Sequence, residues 1–222
     1  MTTLEEIKKN PQVLEFIKQT ELVLSALNFT DHGLRHAELV SERARKIAKD
    51  IGLSQKDQEL SGIVGFCHDM GNFISRSYHN YFASLLFHQI FKDEMEPGDL
   101  AIVMQGLANH DKITEDIAFT NPISAVAILA DKSDVHRSRV TITKMEDIKS
   151  DIHDRVNYAT TSSDIKVDEN KKKIILTLKI DTNFVPVIEY FEIFTSRMVF
   201  CRKAAEYLGY EFGLVINKFR LL

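Results

Sequence analysis

Histidine and aspartate stand side by side at His68 and Asp69, at the end of an apolar run that begins at Leu60. Imidazole and carboxylate groups bind divalent metal ions, and a charge buried in apolar surroundings requires a partner. Neighbouring residues on a helix point about 100° apart, so both side chains reach one ion only where the helix ends. Gly71 predicts such an end. An isolated His-Asp pair also occurs at ordinary helix termini, so a metal site requires further ligands elsewhere.

A second inward-facing histidine is expected at His36. On a helix from about Leu34 to Ile51, His36 recurs with Val40 and Ala44 at helical spacing, which puts it at the start of the buried stripe. His32, in the preceding loop, has no such constraint, and we expect it to be exposed. A lone inward histidine is more often a hydrogen-bonded core residue than a ligand. His36 therefore indicates a metal site only if other residues of ligand type face the same place.

The helix expected from about Tyr78 to Phe91 carries two histidines. His79 and His88 are nine residues apart and therefore project from opposite faces, so only one of them can face a given site. His79 shares its face with Ala83 and lies at the helix start, where the chain returns from the His-Asp pair. We therefore favour His79 and keep His88 as a substitute.

His110 and Asp131 end two further apolar helix faces. His110 follows Val103 and Leu107 at helical spacing, and Asp111 beside it is an alternative ligand. Asp131 closes a run of Ala, Val, Ile and Leu, where a carboxylate requires an explanation.

Six side chains of ligand type are thus expected to face one core from helix ends. They are His36, His68, Asp69, His79, His110 and Asp131. Six such positions on successive helices indicate a common site rather than independent accidents.

Three stretches carry a resemblance to a known family. They are the histidine whose stripe continues in Val40 and Ala44, the apolar run into His68-Asp69-Met70-Gly71, and Ala130-Asp131. Together they resemble the HD superfamily of metal-dependent phosphohydrolases, over roughly residues 30 to 140. Asn72 is a departure, because many members of the superfamily have lysine there.

Two shorter matches point to one group of enzymes within this superfamily. His79 is followed by Ala83 and Ser84, and Ala130-Asp131-Lys132 is followed by Arg137. These are similar to the bacterial HD hydrolases that split diadenosine tetraphosphate symmetrically. The resemblance therefore implies cleavage of a phosphate ester or anhydride, with a nucleotide or a dinucleoside polyphosphate as the substrate.

The resemblance also implies a metal site with one or two divalent ions. One ion would be held by His36, His68, Asp69 and Asp131, and a second by His79 and His110, with Asp69 as the bridging, catalytic residue. The sequence does not distinguish between iron, manganese, zinc, cobalt and magnesium as the bound metal. The nucleophile would be a metal-bound hydroxide. Lys132 and Arg137 would hold the phosphate oxygens that are not attacked.

The composition limits the other classes of function. With 222 residues, 44% of them hydrophobic, the chain can bury a substantial core. A net charge of −4 without a dense Lys/Arg run argues against a nucleic-acid partner. Cys67 and Cys201 lie far apart among apolar neighbours, as reduced thiols of a cytoplasmic protein do. A charged N-terminus and the lack of 18 consecutive apolar residues argue against export and against a membrane partner.

The C-terminal part changes character. Residues 165–167 and 174–180 alternate around a charged turn and predict a hairpin. A long amphipathic helix follows Pro186, and residues 214–219 predict a closing strand. The expected fold is mainly α, a helical bundle over residues 1–158 with a small α+β subdomain over 159–222. That subdomain packs on the core or forms a homodimer interface. One helix is expected from Met145 to Tyr158.

Two other functions use the same residues. A di-iron oxygenase of this fold would activate oxygen, and a catalytically silent metal or nucleotide sensor would use the C-terminal unit as its output surface. Hydrolysis is favoured because the six-residue set is complete and cations lie nearby in the sequence.

Overall fold

The computed structural model describes residues 2–111 and 119–221 of the chain. The prediction of a mainly α fold with a C-terminal α+β extension is confirmed. The N-terminal helices are α1 (Leu4–Ile7), α2 (Pro11–Ala26), α3 (Leu34–Asp50), α4 (Gln55–Cys67), α5 (His79–Phe91), α6 (Pro97–Asn109) and α7 (Pro122–Lys132). After a 3-10 turn at Arg137–Arg139 come α8 (Met145–Ser150), α9 (Ile152–Ala159), β1 (Thr160–Asp168), β2 (Lys173–Ile180), α10 (Val187–Tyr207), β3 (Glu211–Ile216) and β4 (Phe219–Arg220).

Helices α3 and α4 pack closely because α4 has glycine at the crossing. A Cβ added at Gly65 would lie 2.9 Å from the Ser41 Cα atom and from the Val40 carbonyl oxygen. The Ser41 hydroxyl donates to the Gly62 carbonyl at 2.8 Å across the same contact. This approach brings the start of α3 beside the end of α4, where two of the predicted ligands lie.

The helix end predicted near Gly71 is present, since α4 ends at Cys67. Gly71 does not form a left-handed cap there, because the glycines with positive φ are Gly52, which ends α3, and Gly209. Gly71 instead makes room for α5, because a Cβ there would lie 2.2 Å from the His79 carbonyl oxygen. Tyr78 adopts a left-handed φ of +65° immediately before the helix, so α5 begins at His79, one residue later than expected. Its first residue therefore packs against the turn that carries the His-Asp pair.

The expected helix from Met145 to Tyr158 is wrong, because the structure breaks it into α8 and α9. Asp151 lies between them with extended backbone angles (φ −99°, ψ 131°), and its carboxylate accepts from the amides of His153 and Asp154. Aspartate is a favoured N-cap residue, so the capping interaction outweighs continuation of the helix. The start of α9 is thereby fixed.

The C-terminal strands form one sheet in the order β1-β2-β3-β4. The hairpin β1-β2 is antiparallel as predicted, β2 and β3 are parallel, and β3 and β4 are antiparallel. The crossover between the parallel strands contains α10, as a parallel connection requires. The predicted domain boundary between residues 158 and 159 stays a prediction.

The apolar stripe of α10 faces the interior of the chain. Tyr190, Phe194 and Cys201 are buried in a core cluster that also contains Val40 of α3 and Ile128 of α7. The C-terminal helix thus shares its core with α3 and α7, two of the helices that carry predicted ligands. Within the described residues, no helix combines the length and the apolar character needed to cross a membrane.

Candidate metal centre

The six predicted ligands lie at helix termini around one point. His36 is in the first turn of α3, His68 follows α4, His79 opens α5, His110 follows α6 and Asp131 is in the last turn of α7. All six are buried, the most exposed being Asp131 at 9%. Helices whose ends converge therefore deliver side chains that are far apart in the sequence.

The first group of donor atoms comes from His36, His68, Asp69 and Asp131. His36 Nε2 lies 3.1 Å from His68 Nε2 and 3.5 Å from both Asp69 Oδ2 and Asp131 Oδ1. His68 Nε2 lies 3.2 Å from Asp69 Oδ2. Nitrogen and oxygen donors bound to one ion at about 2.0–2.2 Å are themselves about 3–3.6 Å apart. The donor atoms of His36, His68 and Asp69 are therefore spaced as around a single cation, and Asp131 Oδ1 lies beside the two histidines.

The second group uses the other oxygen of Asp69. Asp69 Oδ1 lies 3.2 Å from His79 Nε2 and 3.7 Å from His110 Nε2, and the two imidazole nitrogens are 3.0 Å apart. Asp111 Oδ2 lies 3.8 Å from His79 Nε2, at the edge of this group. Since its two oxygens face different groups, Asp69 is placed to bridge two ions.

Hydrogen bonds fix the tautomers of the four imidazoles. The Nδ1 atoms of His68, His79 and His110 donate to the backbone carbonyls of residues 65, 76 and 107 at 2.7–2.9 Å. The Nδ1 atom of His36 donates to Asp134 Oδ2 at 2.7 Å. A carbonyl only accepts, so the ring proton lies on Nδ1 and the Nε2 lone pair points into the site.

The facing lone pairs need a positive charge between them. Two neutral imidazoles whose Nε2 atoms lie 3.0 or 3.1 Å apart repel each other unless a proton or a metal ion separates them. Burial lowers the pKa of His68, but the carboxylates of Asp69 and Asp131 outweigh it and raise that pKa to about 9. Burial raises the pKa of Asp69, yet the neighbouring histidines hold it well below its usual range. The site is thus built to hold positive charge, and its donor set suits a divalent metal ion.

Two further residues orient the ligands. Asn72 Nδ2 donates to Asp69 Oδ1 at 2.9 Å, while its Oδ1 accepts from Arg76 at 2.8 Å. Asp134, which is fully buried, accepts from His36 and from Arg35 at 2.8 Å. Burial raises the pKa of Asp134, but the His36 hydrogen bond and the Arg139 charge lower that pKa by more than burial raises it, so the carboxylate stays ionised. Such partners hold a ligand in the geometry that the metal needs.

A cavity of about 460 Å³ opens onto both donor groups. Its walls include four of the candidate ligands (Asp69, His79, His110 and Asp131), Asp154 and Asn157 from α9, and Phe194 and Arg197 from α10. This volume lies in the range of small-molecule sites. A ligand in the cavity would therefore touch the donor groups and the C-terminal part of the chain together.

Of the two residues predicted to bind the substrate, Lys132 lies in this cavity and Arg137 lies outside it. Lys132 lines it and pairs with Asp131 at 2.8 Å and Asp111 at 3.2 Å. Arg137 does not line it, because its exposed guanidinium lies over the Tyr158 ring at 5.4 Å. The structure therefore does not bring Arg137 to the site.

Two histidines outside the ligand set also have clear positions. His88 is exposed on the far face of α5, as its spacing from His79 requires, so it does not replace a ligand. His32 was expected to be exposed, but it is half-buried and lines the cavity. Burial and the nearby Arg139 charge lower the pKa of His32 well below its usual value, so it is neutral.

Sequence reasoning missed the cations and the orienting groups that the fold adds. Arg76, Arg139 and Arg197 line the cavity, and Asp134 supports His36. The spacing of Asp131 and Asp134 is a usable signal, because residues three apart at a helix end lie close together. For Arg197 the local sequence holds no signal, since only the packing of α10 against α7 brings it to the site.

Comparison with known proteins finds a distant relative of this chain. No family model matches the chain. An alignment over 165 residues is 26% identical to an uncharacterized protein of Methanocaldococcus jannaschii. It covers 63% of this chain and 62% of that protein, so the chain spans less than two thirds of the relative's length. The relative's name states no activity.

Proposed function

We propose that this chain is a metal-dependent phosphohydrolase of the HD type. It would cleave a phosphate ester or anhydride, with a nucleotide or a dinucleoside polyphosphate as the substrate. The observation that carries the proposal is the shared carboxylate of Asp69, whose oxygens lie 3.2 Å from His68 Nε2 on one side and 3.2 Å from His79 Nε2 on the other. Dinuclear sites of this kind are used for displacement at phosphorus.

The donor set favours divalent ions of the first transition series. His36, His68 and Asp131 with one oxygen of Asp69 would hold one ion, and the second group would hold another. Iron, manganese, zinc and cobalt are the candidates of this series, and magnesium, which is not a transition metal and prefers oxygen ligands, is a further candidate. Bound there, such ions would lower the pKa of water and offset the negative charge of a phosphoryl group.

Two of the cations that line the cavity, Arg139 and Lys132, already have partners within the protein. Arg139 donates to the carbonyls of Asp31 and Asp134, and Lys132 is paired with two carboxylates. Both are therefore engaged within the protein. Burial lowers the pKa of Lys132, but Asp131 and Asp111 outweigh it and raise that pKa, so this ammonium group stays charged.

Arg197 is the cation best placed to receive a substrate. Its guanidinium lies 4.8 Å from the Phe194 ring and forms no ion pair within residues 2–111 and 119–221. Its planar fork matches two oxygens of a phosphate group. We therefore assign to Arg197 the phosphate-holding role that the sequence suggested for Arg137, with Lys132 as a neighbouring point charge.

The two alternative functions predict different measurements. A di-iron oxygenase would consume oxygen and need iron, and a sensor would bind a nucleotide without turnover. Arg197, which forms no ion pair among the described residues, favours a phosphorylated ligand, which an oxygenase does not require. Hydrolysis accounts for the metal donors and the cation together.

A metal-controlled turnover screen tests the proposal. Protein stripped with a chelator and reloaded with each candidate metal is assayed for products from mono-, cyclic and dinucleotides. We expect metal-dependent release of phosphate or of a nucleotide, abolished in Asp69→Ala and retained in His88→Ala, an exposed histidine outside the site. Metal-loaded protein that binds nucleotides but turns none over, or that consumes oxygen instead, would contradict hydrolysis.

A further inference from the structure

Helix α9 contributes two buried polar side chains to the cavity that the metal centre does not use. Asp154 and Asn157 are 2% and 4% exposed, respectively, and both line the cavity. They are three residues apart and therefore lie on the same face of the helix. Neither contacts the metal-binding groups in any hydrogen bond or ion pair of the described residues.

Both side chains present hydrogen-bond acceptors without partners. The Asp154 carboxylate makes no hydrogen bond or ion pair within the described residues, and its Oδ2 is buried. The Asn157 side chain lies 2.8 Å from the His153 carbonyl oxygen. Since a carbonyl only accepts, the Asn157 atom facing it is the Nδ2 donor. The Asn157 Oδ1 atom is therefore an acceptor, and it is buried with no partner in residues 2–111 or 119–221.

Unpartnered buried acceptors are uncommon because they lose their hydrogen bonds to water on folding. Capping of α9 does not explain them, since the cap is provided by Asp151 and uses only the backbone amides of the following residues. Two such acceptors on one helix face, beside a cavity, are therefore complementary to a ligand that brings hydrogen-bond donors.

We propose that Asp154 and Asn157 form a subsite for a ligand group that presents two neighbouring N–H donors, the pattern of the guanine base edge. Guanine offers N1–H and the exocyclic amino group side by side. Adenine and cytosine place an acceptor next to their amino group, and uracil places its single donor between two acceptors. A carboxylate and an amide oxygen match the guanine pattern and leave an acceptor unpaired against the other bases.

The position of the subsite agrees with the proposed function, on which its biological meaning rests. Arg197 lines the same cavity as the two acceptors and the metal donors. A guanine nucleotide would thus meet donors for its phosphate and acceptors for its base within one cavity.

Binding of nucleosides to the full chain tests the subsite separately from hydrolysis. Guanosine, inosine and adenosine carry no phosphate, so their affinities are measured by titration of chelator-treated protein. We expect guanosine to bind about tenfold more tightly than inosine, which lacks the amino group, and than adenosine, as for loss of a hydrogen bond to a charged group. The isosteric Asp154→Asn variant loses this preference, and Asp147→Ala, an exposed aspartate on α8, keeps it.

Equal affinity for the three nucleosides, absence of binding, or a guanosine preference that survives in Asp154→Asn would overturn the proposal. A loss of affinity for 2′,3′-dideoxyguanosine equal to that for inosine would show that the acceptors bind the ribose diol instead, and would also overturn it. Because the nucleosides carry no phosphate, a failure of this binding test leaves the hydrolase proposal standing. A lack of turnover in the hydrolysis assay likewise leaves the subsite proposal standing.

Discussion

The amide of Asn72 donates to Asp69 Oδ1 at 2.9 Å, the same oxygen that lies 3.2 Å from His79 Nε2. The hydrogen bond holds the shared carboxylate with one oxygen toward each donor group. Arg76 in turn fixes the amide by donating to Asn72 Oδ1. Asn72 thus orients the carboxylate that is proposed to bridge two ions.

Loss of that hydrogen bond should weaken metal binding. We expect Asn72→Ala to reduce the affinity for divalent metal by about 10- to 100-fold, because groups that orient a ligand have effects of that size. Competition with a chromophoric chelator measures the affinity. Replacement of Asn170, which lies in the exposed turn between β1 and β2, serves as the control. An affinity equal to that of the unmodified chain would show that Asp69 needs no support from Asn72.

Removal of His79 should separate the two donor groups. His79→Ala deletes one imidazole of the second group and leaves His36, His68 and Asp131 in place. We expect the bound metal to fall from about two ions to about one, and turnover to fall with it, since both ions take part in a dinuclear displacement. His88→Ala, on the same helix but exposed, should keep both ions. Loss of all metal in His79→Ala would mean that the groups do not bind independently.

Arg197 and Arg137 make a matched pair of variants for substrate binding. Arg197→Ala should raise KM about tenfold while the metal content stays unchanged, because it removes a charge-assisted contact to phosphate and no metal ligand. Arg137→Ala should change KM less than about twofold, since that side chain lies over Tyr158 outside the cavity. Steady-state kinetics with metal analysis of both variants decides the assignment. The reverse order of effects would restore the assignment made from the sequence.

The buried carboxylate of Asp154 should make stability depend on pH. Burial, with a smaller effect of Asp151, raises the pKa of Asp154 from 3.8 to about 6. The folded chain therefore binds this proton more tightly than the unfolded chain, and stability is lost as the pH rises from about 4 to about 6. Asp154→Asn should then raise the free energy of unfolding by about 1–2 kcal/mol at pH 8 and by little at pH 4.

Thermal unfolding of the two proteins at pH 4 and pH 8 checks this prediction. Asp147→Ala is again the control, because that aspartate is exposed and should show no such pH dependence. Destabilisation of Asp154→Asn at pH 8 would mean that the carboxylate has a structural partner.

Helix periodicity in the sequence predicted which side chains of ligand type face the interior, and the reason is local. An apolar stripe shows which face of a helix is buried, so a histidine that ends the stripe, such as His36 or His110, must face the core. The same logic separated His79 from His88 on one helix. Convergence of the helix ends then follows from packing a small number of helices against one another.

The residues that the sequence did not predict depend on contacts between distant segments. Arg137 was assigned from the resemblance, which it carries together with Ala130-Asp131-Lys132, but its side chain lies over the Tyr158 ring. Arg197 reaches the cavity only because α10 crosses α7. Asp151 was read as part of a helix because helical spacing alone does not reveal that an aspartate within it acts as a cap.

The amount of divalent metal bound by the full chain tests the shared-carboxylate site most directly. Elemental analysis of folded protein after reloading and removal of free metal should give about two ions per chain, and Asp69→Ala should bind almost none. A folded, unmodified chain that binds no divalent ion, or an Asp69→Ala variant that keeps its full complement, would contradict the proposed metal centre.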